Sequence, residues 1–315
     1  MMRKITPNDL GATMYVPATH PELTRIARGE KYPELLSMVI CLEDAVLDRD
    51  IPQALDNLRK TLFILKSPRN FSDGPLVFIR PRSTAMAARL VADKTFCLHA
   101  ADGLVLPKFT LSSLDTWLRI TAGTHLLWMP TLEDSEVYDV TKMQQMADAL
   151  KAKAANRVLA LRIGGNDLMS VLGLRRSKEH TLYEGPLGYV IKMLVSVFGA
   201  QGFALTSPVC ELIEPDDMLR RELKQDILHG LVGKTAIHPS QIPVIHQALR
   251  VAPRDYQEAL RILNADSAVY KSDGAMCEPA THINWAHRII QQGKKYGYRE
   301  TSPCEQDLGT AAQTG

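Results

Sequence analysis

Acidic side chains follow several short apolar runs in this chain of 315 residues. Glu43 and Asp44 follow one run, Glu133 and Asp134 follow another, and Asp167 follows a third. Two carboxylates, completed by water and substrate oxygens, are a common ligand set for Mg²⁺. Glu133 and Asp167 follow consecutive runs, so we expect this pair to bind one Mg²⁺ ion. Asp134 fits equally well as the cap of the helix that comes after it.

Basic side chains are needed near these acids. Two carboxylates about 4 Å apart repel by roughly 4 kcal/mol at an effective dielectric constant near 20. Arg80 ends an apolar run, and its planar guanidinium suits a substrate carboxylate or an enolate oxygen. We expect Arg80 to bind substrate and act in catalysis, although an ion pair with Glu43 or Asp44 is also consistent. Lys108 is either a second contact for an anionic substrate or a solvated lysine.

Two further positions complete the set of candidate site residues. Gly165 and Asn166 precede Asp167, and glycine allows backbone N–H groups to come close to a ligand, so both are expected to bind substrate. His238 is expected to be a buried histidine bonded to the backbone rather than a catalyst.

Eight runs rich in Val, Ile and Leu could position these residues. Continuous apolar runs of this length are typical of parallel strands that are buried on both faces. Amphipathic segments lie between many of them, for example 50–66, 139–154 and 215–230. The runs are Thr13–Pro17, Met38–Leu42, Leu76–Arg80, Gly103–Pro107, His125–Pro130, Val158–Ile163, Phe203–Ser207 and Gly233–Ile237.

This alternation, repeated eight times in about 240 residues, predicts an α/β fold of the (β/α)8 TIM-barrel type. An open, doubly wound sheet is the alternative. It would place a glycine-rich phosphate turn after the first strand, where the sequence has Pro17–His20. Because barrel enzymes carry their chemistry at the carboxyl ends of the strands, the candidate residues should share one rim.

The pattern changes after the eighth run. Helices are predicted at Pro243–Leu249, Tyr256–Val269 and Pro279–Lys295, with no strand between them. We therefore expect a barrel domain at 1–250, a helical C-terminal extension at 251–298 and a disordered tail at 299–315.

Composition excludes several classes of protein. The net charge of +2 gives no reason to expect nucleic acid or a membrane surface as a partner. No run of apolar residues is long enough for a transmembrane helix, and the N-terminus lacks the apolar core of a signal peptide. The five cysteines are far apart without a CxxC pair, which favours a reduced cytoplasmic protein without structural zinc.

Taken in order, these motifs resemble those of the citrate lyase beta-subunit family, which includes malyl-CoA and citramalyl-CoA lyases and belongs to the HpcH/HpaI aldolase superfamily. The likeness covers roughly residues 10–290. The matching stretches are Tyr15–Pro17, Cys41–Val46, Ile79–Arg80, Leu106–Lys108, Pro130–Glu133, Gly165–Gly173, Gly233–Ile242 and Asp273–Met276.

The resemblance implies a Mg²⁺-dependent carbon–carbon bond lyase acting on a 2-hydroxy or 2-oxo acid. It implies Mg²⁺ on Glu133 and Asp167, and a 2-oxo acid or a substrate carboxylate held by Arg80. Glu43 and Asp44 would orient Arg80 and a water molecule. Asp273, on a C-terminal lid, could supply an acid. The family also implies a homo-oligomer, a trimer or a hexamer.

Departures from the family pattern bear on the substrate, which is a small carboxylic acid or an acyl-CoA. Gly11 and Ala12 replace an arginine–serine pair, Ala18 replaces a glycine, and Ile51–Gln53 occupy the region of an expected lysine. The lost basic residues are plausible contacts for CoA phosphates, so a small or differently decorated acid fits better. The alternatives are a metal-dependent 2-oxo-acid (pyruvate) aldolase and a non-catalytic scaffold subunit of a larger complex.

Overall fold

The structure, a computed structural model, describes residues 4–66, 74–272 and 274–299. It divides into two compact units between Ile245 and His246, a few residues before the expected domain boundary. Within the described residues, the first unit contains eight strands. They are β1 (Gly11–Pro17), β2 (Ser37–Cys41), β3 (Leu76–Arg80), β4 (Gly103–Leu106), β5 (Leu127–Leu132), β6 (Leu161–Ile163), β7 (Leu205–Thr206) and β8 (Gly233–Ala236).

Helices connect these strands and continue into the second unit. They are α1 (Leu23–Ala27), α2 (Ile51–Leu65), α3 (Thr84–Ala92), α4 (Leu114–Ile120), α5 (Val140–Ala154), α6 (Gly165–Val171), α7 (Pro186–Ala200), α8 (Asp217–Leu228), α9 (Gln241–Ala248), α10 (Pro253–Leu263) and α11 (Pro279–Tyr296). Among the described residues, none of the helices combines the length and the apolarity needed to span a lipid bilayer.

The eight strands form one parallel sheet in the order β7-β6-β5-β4-β3-β2-β1-β8. Its two edges meet where Ser207, which follows β7, bridges to Lys234 on β8, and the Ser207 N–H donates to the Gly233 carbonyl at 2.8 Å. The predicted (β/α)8 TIM barrel is therefore confirmed. The fifth strand ends two residues later than predicted, because backbone pairing with β6 continues past the apolar run through Thr131 and Leu132.

One part of the barrel interior is an apolar core. Val39, Phe78, Val105 and Met129, from four neighbouring strands, are fully buried in one cluster. Gly103 on β4 makes room for this packing, since a Cβ there would lie 2.3 Å from the Leu127 carbonyl oxygen and 2.9 Å from the Phe78 ring. Arg80 ends β3 and Glu133 directly follows β5, so both charged residues lie at the carboxyl ends of the strands, where chemistry is expected.

A buried cluster of charges joins β8 to α8 outside the barrel. Lys234 Nζ lies 2.9 Å from Asp226 and 3.4 Å from Glu222, and Arg176 Nη1 lies 2.5 Å from Glu222. Tyr183 donates its hydroxyl to Asp226 at 2.5 Å. Burial alone would lower the pKa of Lys234, but the two carboxylates raise it above its ordinary value. The positive and negative charges of the cluster therefore balance each other away from water.

The second unit contains a feature that contradicts the sequence prediction. Strands β9 (Tyr270–Ser272) and β10 (Ala275–Cys277) pair as an antiparallel hairpin between α10 and α11. The expectation that this extension lacks strands is therefore wrong, and the helix predicted at Tyr256–Val269 ends at Leu263. The chain turns back after α10 because Tyr270, at the start of β9, packs on that helix. Its hydroxyl donates to Glu258 at 3.1 Å, and its ring packs under Arg261.

Apolar packing stabilises this second unit. Its core comprises Val251, Ala259, Ile262, Cys277, Ala286 and Ile289. Apart from Arg299, whose N–H donates to the Val251 carbonyl at 2.8 Å, the expected tail at 299–315 lies outside the described residues.

Replacing Lys234 by alanine should lower the free energy of unfolding by about 3–5 kcal/mol, because Glu222 and Asp226 would lose a buried counter-charge. Urea denaturation followed by circular dichroism measures the change. Lys142→Ala is the matched control, since its pair with Glu136 is exposed and such pairs contribute about 0–1 kcal/mol. Equal losses in the two variants would contradict a stabilising role for the cluster.

Candidate active site

Arg80, at the end of β3, lies between two buried carboxylates. Its Nε forms an ion pair with Glu43 Oε2, and its Nη2 lies 3.0 Å from Glu133 Oε1 and 3.3 Å from Glu133 Oε2. The Arg80 side chain is only 12% exposed, and that of Glu133 only 1%. The ion pair with Glu43, considered from the sequence as an alternative role for Arg80, is thus present. The contact with Glu133 adds a second acid that had been expected only as a metal ligand.

The electrostatics of Arg80 follow from these neighbours. Burial by itself lowers the pKa of Arg80, but Tyr15, Glu133 and Glu43 raise it, and the net pKa lies above the ordinary value. The guanidinium carbon also lies 6.0 Å from the centre of the Tyr15 ring. Arg80 is therefore a permanent cation held in one place.

Glu133 is fixed by the backbone as well as by Arg80. The Lys108 N–H donates to Glu133 Oε1 at 2.7 Å, and Lys108 adopts a left-handed conformation with φ of 45°. A non-glycine residue in this region carries a strain of about 1–3 kcal/mol, a cost that is commonly found at functional sites. Gly164 leaves space on the other side, because a Cβ there would lie 2.4 Å from Glu133 Cβ.

Glu133 and Asp167 form a pair of acids that could hold a cation. Burial raises the pKa of Glu133, Arg80 and the Lys108 N–H lower it, Asp167 raises it further, and the net pKa is raised. Asp167 lies in the first turn of α6, directly after β6, next to the strand that carries Glu133. A bound cation would offset their shared negative charge. In the part of the chain that the structure describes, no larger group of His, Cys, Asp and Glu is arranged around a metal position.

These two acids fit Mg²⁺, which often takes one or two carboxylates and completes its shell with water or substrate oxygens. Glu133 Oε1 accepts from both the Lys108 N–H and Arg80, whereas Oε2 accepts only from Arg80, so Oε2 keeps a second lone pair for a cation.

Glu43 and Asp44 line a cavity of about 350 Å³. Glu43 is buried, whereas Asp44 is exposed. Burial raises the pKa of Glu43, Arg80 opposes this shift, and Asp44 and Glu133 add to it, giving a pKa of about 7. A carboxyl group with this pKa can accept or release a proton near neutral pH. The cavity is lined by Glu43, Asp44, Val46, Leu47, Asp48, Arg82 and Lys108.

Arg82 holds the loop that carries Glu43 and Asp44, a role that was not predicted from the sequence. Its guanidinium donates to the Leu42 and Glu43 carbonyls, both at 3.3 Å, and also to the Val46 carbonyl. It forms an ion pair with Asp48 as well. The available signal was the spacing Arg80-Pro81-Arg82, which places two arginines two residues apart at the end of one strand.

Other predicted site residues lie nearby with different contacts. The Lys108 side chain is exposed and lines the cavity. Gly165 is buried, and a Cβ there would lie 2.9 Å from Pro208 Cβ, so close packing explains why this residue is glycine. Asn166 is exposed, and its amide donates to Glu211 Oε2 at 2.9 Å. Substrate binding by Gly165 and Asn166 stays a prediction.

The structure shows the role of Asp134 but does not describe Asp273. Asp134 accepts the Glu136 N–H at 3.1 Å, so it caps the short helix after β5, as considered from the sequence. Asp273 lies outside the described residues.

The expectation that His238 is buried is wrong, whereas its expected bond to the backbone is present, because the Ser240 N–H donates to His238 Nδ1 at 3.3 Å. His238 is exposed, and its Nδ1 bonds to the Ser240 hydroxyl at 2.8 Å. The structural role belongs to Gln241, which accepts the Ile237 N–H and donates to the Cys210 carbonyl, both at 2.9 Å. Gln241 thereby ties the end of β8 to the segment that follows β7. His238 lies in the turn between β8 and α9, outside the strand itself, whose residues are mostly buried.

Comparison with known proteins shows a consistent set of relatives. The sequence model of a family described as C–C bond lyases of the TIM-barrel fold matches residues 4–298. Two (3S)-malyl-CoA thioesterases from Cereibacter sphaeroides, of strains KD131 and ATCC 17029, are 23% and 27% identical. Each match spans 255 residues, which is 81% of this chain and 82% of the relative.

Solved structures share the fold. CitE from Mycobacterium tuberculosis in complex with magnesium, acetoacetate and coenzyme A superposes with a TM-score of 0.68 at 21% identity, covering 91% of this chain and 99% of that one. RipC from Yersinia pestis gives a TM-score of 0.58 at 19% identity, covering 77% of this chain and 95% of that one.

A pH dependence of stability follows from the raised pKa of Glu43. Folding favours protonated Glu43, so this contribution is fully present below the ordinary pKa of 4.5 and is lost as the pH rises through about 7. Glu43→Gln mimics the protonated form at every pH. In chelator-treated protein, the melting temperature of Glu43→Gln minus that of wild type should therefore increase from about pH 5 to about pH 8. A difference that stays constant over this range would contradict the assignment.

Proposed function

Because the chain belongs to the family of C–C bond lyases of the TIM-barrel fold, we propose that it cleaves or forms a carbon–carbon bond in a 2-hydroxy or 2-oxo acid with Mg²⁺ as cofactor. The observation that carries the proposal is Glu133, buried beside Asp167 and held by Arg80 and the Lys108 N–H. The chain is citrate lyase beta-like in family, and CitE of Mycobacterium tuberculosis is known in complexes with magnesium and acetoacetate or pyruvate. These small oxo acids support the substrate class.

Glu133 and Asp167 would hold the cation. Bound there, Mg²⁺ would supply Lewis acidity that helps a substrate carbonyl oxygen to accept negative charge. The protein contributes a buried environment in which this charge interacts strongly with its surroundings. The strained Lys108 backbone and the missing Cβ of Gly164 keep Glu133 in one orientation.

Arg80 would stabilise the charge that develops when the bond breaks. The electron pair of the broken bond passes to the fragment that becomes an enolate, and Arg80 donates to its oxygen. Glu43 and Glu133 engage Nε and Nη2 of the guanidinium. No acceptor among the described residues engages Nη1, so this nitrogen is the one available to substrate. Because the donor is fixed in advance, little reorganisation is needed during the reaction.

Glu43 would handle the proton. With a pKa of about 7 it can accept the proton of a substrate hydroxyl as the bond breaks and pass a proton to the enolate carbon, which restores its starting state; bond formation runs these transfers in reverse. Asp44, on the same cavity wall, would orient a water molecule. Arg82 keeps both acids in position through the backbone carbonyls of their loop.

Hydrolysis of an acyl-CoA thioester is the second candidate function. It is favoured by the similarity to two (3S)-malyl-CoA thioesterases and by the Glu43–Asp44 pair beside a cavity that could activate water. Against a CoA substrate, Gly11 stands where the resembled family has an arginine, and Ile51–Gln53 occupy the region of its lysine, so two plausible contacts for CoA phosphates are missing. We therefore favour a small acid. Pyruvate aldolase chemistry and a scaffold role remain as alternatives, and we expect a cytoplasmic homo-oligomer, a trimer or a hexamer.

A substrate screen tests the proposal. Purified protein is incubated with 2-hydroxy acids, 2-oxo acids and their CoA esters, with Mg²⁺ or with chelator, and products are identified by mass spectrometry. A lyase yields a shorter oxo compound, whereas a thioesterase yields free CoA with an intact carbon chain. Binding without turnover of any compound would favour the scaffold alternative.

The metal assignment is tested by removing one carboxylate at a time. Glu133→Ala and Asp167→Ala should each abolish Mg²⁺ binding measured by calorimetry, because one remaining carboxylate is a poor site. Asp134→Asn is the matched control, since this acid lies next to Glu133 but caps a helix. Unchanged Mg²⁺ affinity in both alanine variants, with the fold intact by circular dichroism, would reject the site.

Arg80→Ala should lower kcat by about 100-fold or more on the best substrate, which is the scale of one lost oxyanion donor. Arg119→Ala on the exposed face of α4 serves as the control and should leave kcat unchanged. Steady-state kinetics measures both. A decrease of less than about threefold for Arg80→Ala would show that Arg80 has only a structural role.

A further inference from the structure

A second guanidinium lies inside the barrel mouth, on β6. Arg162 is 3% exposed, and its guanidinium carbon lies 5.2 Å from the centre of the Tyr15 ring. Arg80 contacts the same ring at 6.0 Å. Tyr15 is only partly buried. One aromatic ring is therefore shared by two cations, one belonging to the site described above and one without an assigned role.

Arg162 lacks a counter-charge. Its Nη2 donates to the Thr235 hydroxyl, and its Nη1 lies 3.8 Å from the Met129 sulfur. It forms an ion pair with none of the acidic residues in ranges 4–66, 74–272 and 274–299. Arg80 and the buried Arg176, by contrast, are each paired with carboxylates. Attraction to the Tyr15 ring offsets only part of the hydration that a buried guanidinium loses.

Two buried hydroxyls beside Arg162 also lack partners. Thr131 on β5 and Thr206 on β7 are its register partners, so all three side chains lie on the same face of the sheet. Thr131 Oγ1 and Thr206 Oγ1 are inaccessible to solvent and have no hydrogen-bond partner among the described residues. Buried polar groups are almost always bonded, so a set of unsatisfied donors around a cation calls for an acceptor.

We propose that Arg162, with the hydroxyls of Thr131 and Thr206, binds a second carboxylate of the substrate. This inference rests on the proposed function and narrows it: the acid that is cleaved or formed is a dicarboxylic acid. One end of the acid lies at Arg80 and the acid pair, and the other lies across Tyr15 at Arg162. A guanidinium flanked by hydroxyl donors suits a carboxylate, because each oxygen accepts charge-assisted hydrogen bonds.

The test compares malate with 2-hydroxybutyrate, which differ only by a carboxylate in place of a methyl group. With Mg²⁺ present, calorimetry should show that wild-type protein binds malate about tenfold more tightly or better. In Arg162→Met the two affinities should become equal, while that for 2-hydroxybutyrate stays within about twofold of wild type. Arg119→Met, an exposed arginine on α4, is the matched control and should keep the preference for malate.

Stability separates this role from a structural one. Methionine fills similar space without a charge, so Arg162→Met should keep or raise the melting temperature of the ligand-free protein. A lower melting temperature with an unchanged preference for malate would show that Arg162 only supports packing, and would overturn the inference. Thr206→Val is a second, nearly isosteric variant. It should weaken malate binding about threefold and leave 2-hydroxybutyrate binding unchanged.

The outcomes distinguish this inference from the proposed function. Equal binding of the two acids to wild type would overturn the second subsite and leave the lyase proposal standing. Failure of every 2-hydroxy and 2-oxo acid to bind or react would overturn both. A phosphonate analogue, 2-hydroxy-3-phosphonopropanoate, provides a third arm. If it binds more tightly than malate in an Arg162-dependent manner, the carboxylate assignment is wrong.

Discussion

The ion pairs of Arg80 with Glu43 and Glu133 are the interaction on which the rest of the site depends. Burying a charge costs several kcal/mol unless its partners are placed well, so the surrounding structure must hold all three groups closely. Glu133 is held by the N–H of Lys108, whose backbone is strained, and it fits because Gly164 has no side chain. Three backbone carbonyls bonded by Arg82 serve the loop of Glu43. The positions of Arg80, Glu43 and Glu133 thus depend on Lys108, Gly164 and Arg82, which support them.

Much of the fold could be predicted because it depends on a strong, repetitive signal. Strands buried on both faces require continuous apolar runs, and eight such runs separated by amphipathic helices leave few arrangements besides a closed barrel. The same geometry explains why the acids and Arg80 were expected at one rim. The family assignment confirms the citrate lyase beta-like resemblance, which rested on the order of short motifs rather than on any one of them. The roles of the individual residues stay proposals.

What could not be predicted depends on contacts between strands that are distant in sequence. β3 and β5 are not neighbours, so the meeting of Arg80 with Glu133 depends on side-chain reach across the mouth of the barrel. The Lys108 contact comes from a backbone N–H, which residue type does not reveal. Arg162 lies within the apolar run that predicts strand six, and the run gives no separate signal that this arginine could bind a ligand. The hairpin of the second unit is shorter than the windows in which alternation can be recognised.

The side-chain alternation of β8 has a consequence for how the barrel assembles. Lys234 points outward to the acids of α8, whereas Thr235 contacts Arg162 on the inner side. Sliding this strand by one residue would turn the Lys234 ammonium group inward, toward the position where Thr235 contacts the Arg162 guanidinium, and would leave Glu222 and Asp226 without their counter-charge. β8, the last of the eight barrel strands in chain order, therefore has one energetically acceptable register in which to complete the ring. The buried charge cluster, which lies outside the barrel, thus favours a single register of β8 inside it.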